Sequence, residues 1–183
     1  MRRLGVSEHN ILITQSNLAS TYGTLGRLVE ASRIQQDVYS GHVKLNGEEH
    51  KETLGAATNY ATSLLFLDRF EEARSLLRKT VPVARRVLGE DHELTLMMRK
   101  IYAGALCKGG RATFNDLREA VRTYEDTKRI ARRVLGGAHP LTVDIENNLR
   151  CARAHEELFR AHATGDMSSL REALAAMPPP GSA

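Results

Sequence analysis

The sequence lacks the features that mark membrane, secreted and disulfide-bonded proteins. In its 183 residues no apolar run approaches the ~20 residues that a membrane-spanning helix needs, and the start MRRLGVSEHN has no apolar signal-peptide core. The two cysteines, Cys107 and Cys151, are too few for a disulfide framework and form no C-x-x-C pair. We therefore expect a cytoplasmic protein with reduced, mostly packed thiols.

Recognisable catalytic motifs are missing as well. The sequence has no Gly-rich phosphate loop, no H-E-x-x-H and no Ser or Cys in a nucleophile-elbow sequence. Its 26 basic residues only modestly outnumber its 22 acidic ones. Interspersed charge of this kind favours a solvated helix face over a nucleic-acid surface. We expect no enzymatic activity, no cofactor and no metal.

The sequence does contain an internal repeat. Residues 84–95 read ARRVLGEDHELT and residues 131–142 read ARRVLGGAHPLT, which agree at nine of twelve positions. The histidines His9, His50, His92 and His139 are 41, 42 and 47 residues apart, each after a Leu-Gly-like pair. This pattern predicts a unit of about 42 residues whose joint occurs four times, with about five extra residues around positions 111–117 of the third unit.

The apolar spacing between the joints is helical, as in the stripe Leu54, Ala57, Ala61 and Leu64. Each unit is interrupted once by a short turn, which predicts two antiparallel helices per unit. These turns are Leu25-Gly26-Arg27, Leu67-Asp68-Arg69 and Gly109-Gly110-Arg111. One amphipathic pair cannot bury its apolar stripe alone, so the pairs are expected to stack into a solenoid. Pro82, inside a predicted second helix, predicts a kink near residues 79–83.

The joint itself has a structural interpretation. Gly89 and Gly136 are placed to end a helix, and Pro140 suits the first turn of the next one. His92 and His139 precede that turn, where an imidazole can cap free N–H groups or pack against the preceding Leu. Joint histidines one repeat apart are too distant to share a metal ion, whose bonds are ~2 Å long.

The repeat resembles the tetratricopeptide repeat. The residues that carry this resemblance are Asn17-Leu18-Ala19, Tyr22, Leu25-Gly26-Arg27 and Glu30-Ala31, then Asn59-Tyr60-Ala61, Leu64, Asp68-Arg69-Phe70 and Glu71-Glu72-Ala73. The longer unit, with a second helix ending Val-Leu-Gly and a next unit opening on His-Pro-x-Thr, is similar to the kinesin light chain type over about residues 4–154. The resemblance implies an all-α fold, a right-handed α-α solenoid of antiparallel helix pairs.

The expected organisation is a single repeat domain over residues 4–162, with units at about 4–44, 45–87, 88–134 and a partial unit at 135–162. Arg150 replaces the small residues Ala19, Ala61 and Ala103, so the last first-helix is expected to continue through Ala154 toward Ala161 as a cap. A short helix is expected within 163–177, at residues 170–177 behind a cap at Ser168 or Ser169, and a flexible tail at 178–183.

The resemblance implies that the first helices line a concave groove that binds a peptide or partner protein. The residues expected to face it are Asn17, Ser20, Thr24, Asn59, Thr62, Phe66, Lys100, Gly104, Lys108, Asn148 and His155. The Asn side chains would hydrogen-bond an extended backbone, and Lys100 and Lys108 would favour acidic residues or a terminal carboxylate. The alternative is that these Asn residues only brace adjacent helices.

Other functions remain open alternatives at this point. One is a fragment of a longer kinesin light chain-like array acting as a cargo adaptor, although no heptad coiled coil precedes the repeats. Self-association through the uncapped first pair is another. A less favoured alternative is nucleic-acid binding by the convex face, through Arg74, Arg78, Arg85, Arg86, Arg129, Arg132 and Arg133.

Overall fold

The computed structural model describes residues 7–108 and 112–165, and all regular structure in these two stretches is α-helical. Its helices are α1 (Glu8–Thr24), α2 (Leu28–Asn46), α3 (Lys51–Phe66), α4 (Phe70–Leu88), α5 (Glu93–Lys108), α6 (Phe114–Val134) and α7 (Pro140–Thr164). They fall into two compact units, Met1–Gly89 with α1 to α4 and Glu90–Ala183 with α5 to α7. The single repeat domain at 4–162 stays a prediction.

Within each unit, helices that follow one another along the chain pack together. In the first unit α2 packs against α1 and α3, and α4 packs against α3. In the second, α6 packs against α5 and α7, and α5 also contacts α7. Connections of a few residues force this antiparallel arrangement of neighbours.

The two described turns inside helix pairs are those predicted. Leu25-Gly26-Arg27 joins α1 to α2, and Leu67-Asp68-Arg69 joins α3 to α4. The middle residue is left-handed in both, with φ of 75° at Gly26 and 56° at Asp68. Both turns close with the same hydrogen bond, in which an arginine N–H donates to a carbonyl five residues back, at 2.9 Å. The third predicted turn, at residues 109–111, lies outside the described residues.

The joints confirm the capping interpretation of the histidines. The Nδ1 atoms of His50, His92 and His139 accept hydrogen bonds from N–H groups two residues on, at 3.3, 3.1 and 3.2 Å. Gly89 and Gly136 adopt φ of 100° and 87° just after the preceding helix, as a helix stop requires.

The expectation that His9 opens an equivalent joint is wrong. The helix α1 starts at Glu8 behind the N-cap Ser7, so His9 lies inside the helix instead of before it. The N-cap Ser7 lies 43 residues before the N-cap His50, and His9 lies two residues after Ser7. The Leu4-Gly5 pair of this joint is outside the described residues.

The core of the first unit is built on the predicted stripe. Leu54, Ala57, Ala61 and Leu64 of α3 are at most 1% exposed. Burying one leucine side chain contributes about 2 kcal/mol, so this stripe dominates the stability of the pair. Small residues allow close approach: a Cβ atom at Gly41 would lie 2.5 Å from Leu12 Cδ2. A side chain at residue 41 would therefore require the Leu12 side chain to shift.

The second unit has a more deeply buried tyrosine and a longer last helix. Tyr124 is 2% exposed, against 8% for Tyr60 of the first unit, and packs in a cluster with Leu106, Ile145 and Leu149. The helix α7 runs for 25 residues to Thr164, which confirms that it continues through Ala154 toward Ala161. Arg150 on it is exposed, and the role of this helix as a cap stays a prediction. The predicted helix at 170–177 and tail at 178–183 lie outside the described residues.

Two sequence expectations change in detail. The extra residues of the third unit do not form one longer turn. The α5–α6 connection is two residues longer than the α1–α2 and α3–α4 turns, and the helix α6 is two residues longer than α4. The joint between α6 and α7 is one residue longer than the joint between α4 and α5. Residues 114–117 are therefore helical, behind a capping box of Thr113 and Asp116. The helix α4 continues through Pro82 to Leu88, and the kink there stays a prediction.

Candidate functional site

A pocket of about 350 Å³ opens between α1, α2 and α3 in the first unit. Five predicted groove residues line it: Ser20, Thr24, Asn59, Thr62 and Phe66. Of the other lining residues, Gln35 and Ser63 are polar and uncharged, and the rest are small or apolar: Ala19, Gly23, Leu28 and Ala31. No lining residue is charged. The predicted groove residue Asn17 is exposed on α1 but does not line this pocket.

The pocket offers mostly hydrogen-bond acceptors. Its hydroxyl groups donate to carbonyls of their own helices, Ser20 to Ser16 at 3.1 Å and Thr62 to Thr58 at 2.9 Å. A hydroxyl whose proton is used in this way keeps its lone pairs for a ligand. An incoming N–H or O–H group is therefore matched better than a carboxylate.

Gln35 strengthens this preference. Its side chain is 4% exposed, and Nε2 donates to the Ser16 carbonyl at 3.4 Å. Its Oε1 atom is buried and has no hydrogen-bond partner in the described residues. A buried acceptor without a partner costs about 1–3 kcal/mol, which a donor on a ligand would recover once the side chain rotates to expose Oε1 to the pocket.

Sequence reasoning missed Gln35 because it lies on a second helix. The signal was present, however, since Gln35 lies on the helical stripe Ala31, Gln35, Val38 and His42 of α2, at a position where the later copies have Leu77 and Tyr124. An amide in such a stripe needs a partner.

The predicted residues of the second unit are arranged differently. Lys100 Nζ forms an ion pair with Asp144 Oδ2, and Asn148 Nδ2 donates to Asp144 Oδ1 at 2.9 Å and to its carbonyl at 2.7 Å. Lys100 is thus compensated within the protein, and Asn148 braces its own helix. Gly104 is buried, which leaves it no exposed surface to line a groove. Lys108 is exposed at the end of α5.

His155 lines a separate cavity of about 560 Å³ in the second unit. Its neighbours there are mainly apolar, namely Cys107, Ala112, Leu117, Leu158, Phe159, His162 and Ala163. Burial raises the pKa of Cys107 to about 12, so this thiol stays protonated and unreactive at neutral pH. Among residues 7–108 and 112–165, no group of three or more His, Cys, Asp or Glu is placed to hold a metal ion.

Several arginines of the alternative nucleic-acid face are compensated by carboxylates. Arg86 pairs with Glu49 at 2.6 Å, Arg129 pairs with Asp126 at 2.9 Å, and Arg132 pairs with Glu146. The hydrogen bond from Arg132 lowers the pKa of Glu146 below its usual value. Neutralised pairs release fewer counterions from a nucleic acid, which weakens that alternative. In the helices that the structure describes, none is long and apolar enough to cross a membrane.

The comparisons with known proteins agree with this architecture. A tetratricopeptide repeat family model matches residues 10–82. A crystal structure of a candidate kinesin light chain from Podosopora anserina with nearly identical tetratricopeptide-like repeats is 23% identical, covering 95% of this chain and 77% of that one at a TM-score of 0.64. A single-substitution variant of it gives 23% identity, coverages of 95% and 76%, and a TM-score of 0.66.

BtubC (BKLC) from P. vanneervenii is 16% identical, with coverages of 95% and 64% and a TM-score of 0.65. No curated protein matches the chain. Residues 10–82 are therefore tetratricopeptide repeats, and the chain has the all-α helical repeat solenoid fold of the kinesin light chain type. This confirms the fold class expected from the sequence and the resemblance of residues 10–82 to the tetratricopeptide repeat, while the right-handed sense of the solenoid stays a prediction.

Proposed function

We propose that this protein is a non-catalytic scaffold that binds a peptide or a partner protein at the α1–α3 pocket. The observation that carries the proposal is this uncharged pocket, which combines five predicted groove residues with the buried unpartnered acceptor of Gln35. Tetratricopeptide repeats typically serve protein interaction, which supports the same conclusion. A cytoplasmic location fits this role.

The chemistry of the pocket defines the bound segment more closely than the sequence did. The lining holds no cation, and Lys100 is paired with Asp144. An acidic segment would therefore gain no charge pairing from the pocket and would meet several acceptors. The favoured segment is uncharged at this position, with an apolar side chain against Phe66 and a donor group toward Gln35 Oε1 and Asn59.

Two asparagines make a matched experiment possible. A displayed library of random 12-residue peptides is selected on the protein, and the affinity of selected peptides is measured for Asn59→Ala and Asn17→Ala. Both residues are exposed Asn on first helices, but only Asn59 lines the pocket. We expect about a tenfold loss for Asn59→Ala, equivalent to about 1.4 kcal/mol, and less than about a twofold change for Asn17→Ala. Equal losses, or selected peptides rich in Asp and Glu, would contradict the proposal.

Self-association is a second candidate, supported by exposed apolar side chains on α1. Ile11 and Leu18 are each 44% exposed, and Ile11 also lines a shallow cavity with Leu12, Gly41 and Leu45. Burying such a patch is favourable in proportion to its apolar area. Light scattering over a hundredfold concentration range tests this: the mass is expected to rise for the wild type and stay constant for Ile11→Glu. The cargo-adaptor role in a longer array stays a proposal that rests on the fold likeness alone.

A further inference from the structure

A second, positively charged cavity lies in the second unit, on the face of α6 that borders α5. Its volume is about 340 Å³. Arg99 of α5 lines it, together with a helical stripe of α6 that consists of Asn115, Arg118, Glu119, Arg122, Thr123 and Asp126. This stripe is set apart from the predicted groove, and none of the arginines in the cavity belongs to the set considered above for nucleic acid.

The two carboxylates of the cavity are already engaged. Glu119 Oε1 accepts a hydrogen bond from the Tyr102 hydroxyl at 2.6 Å, and Asp126 pairs with Arg129 at 2.9 Å. Neither carboxylate forms an ion pair with Arg118 or Arg122 within the described residues, although the neutral Tyr102 hydroxyl leaves the charge of Glu119 in place.

The three arginines differ in how they are held. The Arg99 side chain is 12% exposed and pairs with Glu90 at 3.1 Å, which fixes its position at the edge of the cavity. Arg118 and Arg122 form no ion pair within residues 7–108 and 112–165, although Arg118 stacks over the Phe114 ring at 5.8 Å. They are four residues apart on one helix, where like charges repel and destabilise the helix. An anion between them would remove this cost.

We propose that this cavity binds the phosphate group of a phosphorylated serine or threonine on a partner protein. A phosphate monoester carries close to two negative charges at pH 7, and guanidinium groups bind its oxygens in a bidentate manner. The amide of Asn115 supplies a further donor at the rim. This site does not depend on the α1–α3 pocket, and the two proposals fail separately.

The same cavity is a poor fit for a polyanion. Its positive side chains surround one small space, and the Glu119 and Asp126 carboxylates lie beside them on the same stripe. A nucleic-acid strand places phosphates at regular intervals, so its neighbouring phosphates would lie close to these carboxylates. A single phosphate held at Arg118 and Arg122 places fewer negative oxygens near these carboxylates than a strand does.

The test uses a five-residue peptide, Gly-Gly-phosphoserine-Gly-Gly, with its unphosphorylated form, inorganic phosphate and a 20-nucleotide single-stranded DNA as comparison ligands. Affinities are measured by calorimetry for the wild type, for Arg118→Ala/Arg122→Ala and for Arg78→Ala/Arg133→Ala. The last variant removes the same charge from exposed helix positions outside the cavity. Circular dichroism and melting check that both variants fold.

We expect the phosphopeptide, and not its unphosphorylated form, to bind the wild type at least as tightly as inorganic phosphate does. The cavity variant is expected to bind it at least tenfold more weakly, and the control variant within twofold. Losing the repulsion between the two arginines should leave the melting temperature of the cavity variant unchanged or slightly higher. Equal losses in both variants, tighter binding of the DNA through the same arginines, or no phosphopeptide binding at millimolar concentration would each overturn the proposal.

Discussion

The two units place different residues at the same position of the repeat. Gln35 of α2 corresponds to Leu77 of α4 at a spacing of 42 residues, and Leu77 to Tyr124 of α6 at a spacing of 47. Tyr124 is 2% exposed in the core of its unit, whereas Gln35 leaves a buried acceptor beside an open pocket. The same position of the second helix therefore holds a core side chain in two copies and a polar side chain that lines a pocket in the other.

The polar side chains of the first helices also differ between the two units. Asn59 lines the open pocket of the first unit, while its counterpart Asn148 hydrogen-bonds Asp144, which also pairs with Lys100. The second unit therefore uses internally the groups that the first unit presents at its surface. We infer that the first unit is specialised for binding at the first-helix face and the second for stability there.

The largest expected effect is the loss of stability when the Tyr124 side chain is removed from the second unit. Tyr124→Ala removes a fully buried aromatic side chain, and the helices around it can collapse only in part. We expect a loss of about 3–5 kcal/mol in the free energy of unfolding, measured by urea denaturation. Val143→Ala, at a 43% exposed site of α7, is the control and should change stability by less than about 0.5 kcal/mol. A loss below 1 kcal/mol for Tyr124→Ala would show that the tyrosine does not close the core.

Replacing Gln35 of the first unit with leucine should change stability in the opposite direction. Gln35→Leu installs the residue of the next copy, Leu77, which is fully buried. Removing the unpartnered Oε1 is expected to stabilise the protein by about 1–2 kcal/mol and to weaken peptide binding at the α1–α3 pocket at least tenfold. Gln36→Leu, one residue further along α2 and exposed, should change neither quantity. A gain in stability without a loss of peptide affinity would show that Gln35 takes no part in peptide binding.

These two substitutions also show where prediction from the sequence stops. Helix ends were predictable because Gly26, Gly89 and the capping histidines act on their own neighbours in the chain. The Lys100–Asp144 pair joins residues 44 apart, and the pocket needs three helices, so neither followed from a local pattern. The five extra residues of the third unit were visible as a spacing, but their division among turn, helix and joint depended on packing.

The turns inside the helix pairs provide a smaller test. Asp68 occupies in α3–α4 the left-handed position that Gly26 occupies in α1–α2. Asp68→Gly relieves about 1 kcal/mol of conformational strain, part of which is offset by the greater freedom of glycine in the unfolded chain. We expect a net gain of about 0.5 kcal/mol, and a similar loss for Gly26→Asp, where an added Cβ meets nothing within 4 Å. Equal melting temperatures for the wild type and both variants would indicate that the turns carry no strain.

The last difference between the units is a buried histidine, His42, in the first unit. His42 of α2 is 6% exposed and corresponds to Ala84 of α4 and Ala131 of α6, which are fully buried. Its Nδ1 lies 3.2 Å from Asn46 Nδ2 and 3.8 Å from Glu52 Oε2, and the His9 and His50 rings also approach that carboxylate. Burial lowers the pKa of His42, with smaller contributions from His9 and His50, while the Glu52 charge opposes the shift.

Because the pKa of His42 is lower in the folded protein than its usual 6.5, the unfolded chain binds a proton first as the pH falls. Stability contributed by neutral His42 is complete above pH 6.5 and is lost as the pH falls toward the lowered pKa. We expect the protection of α2 and α3 amides from hydrogen exchange, corrected for the intrinsic pH dependence of exchange, to fall between pH 7.5 and 5.5 more than that of α6. His42→Ala, which restores the residue of the other copies, should reduce this difference, whereas His162→Ala at an exposed site should not. An unchanged difference in His42→Ala would show that the acid sensitivity of the first unit does not come from His42.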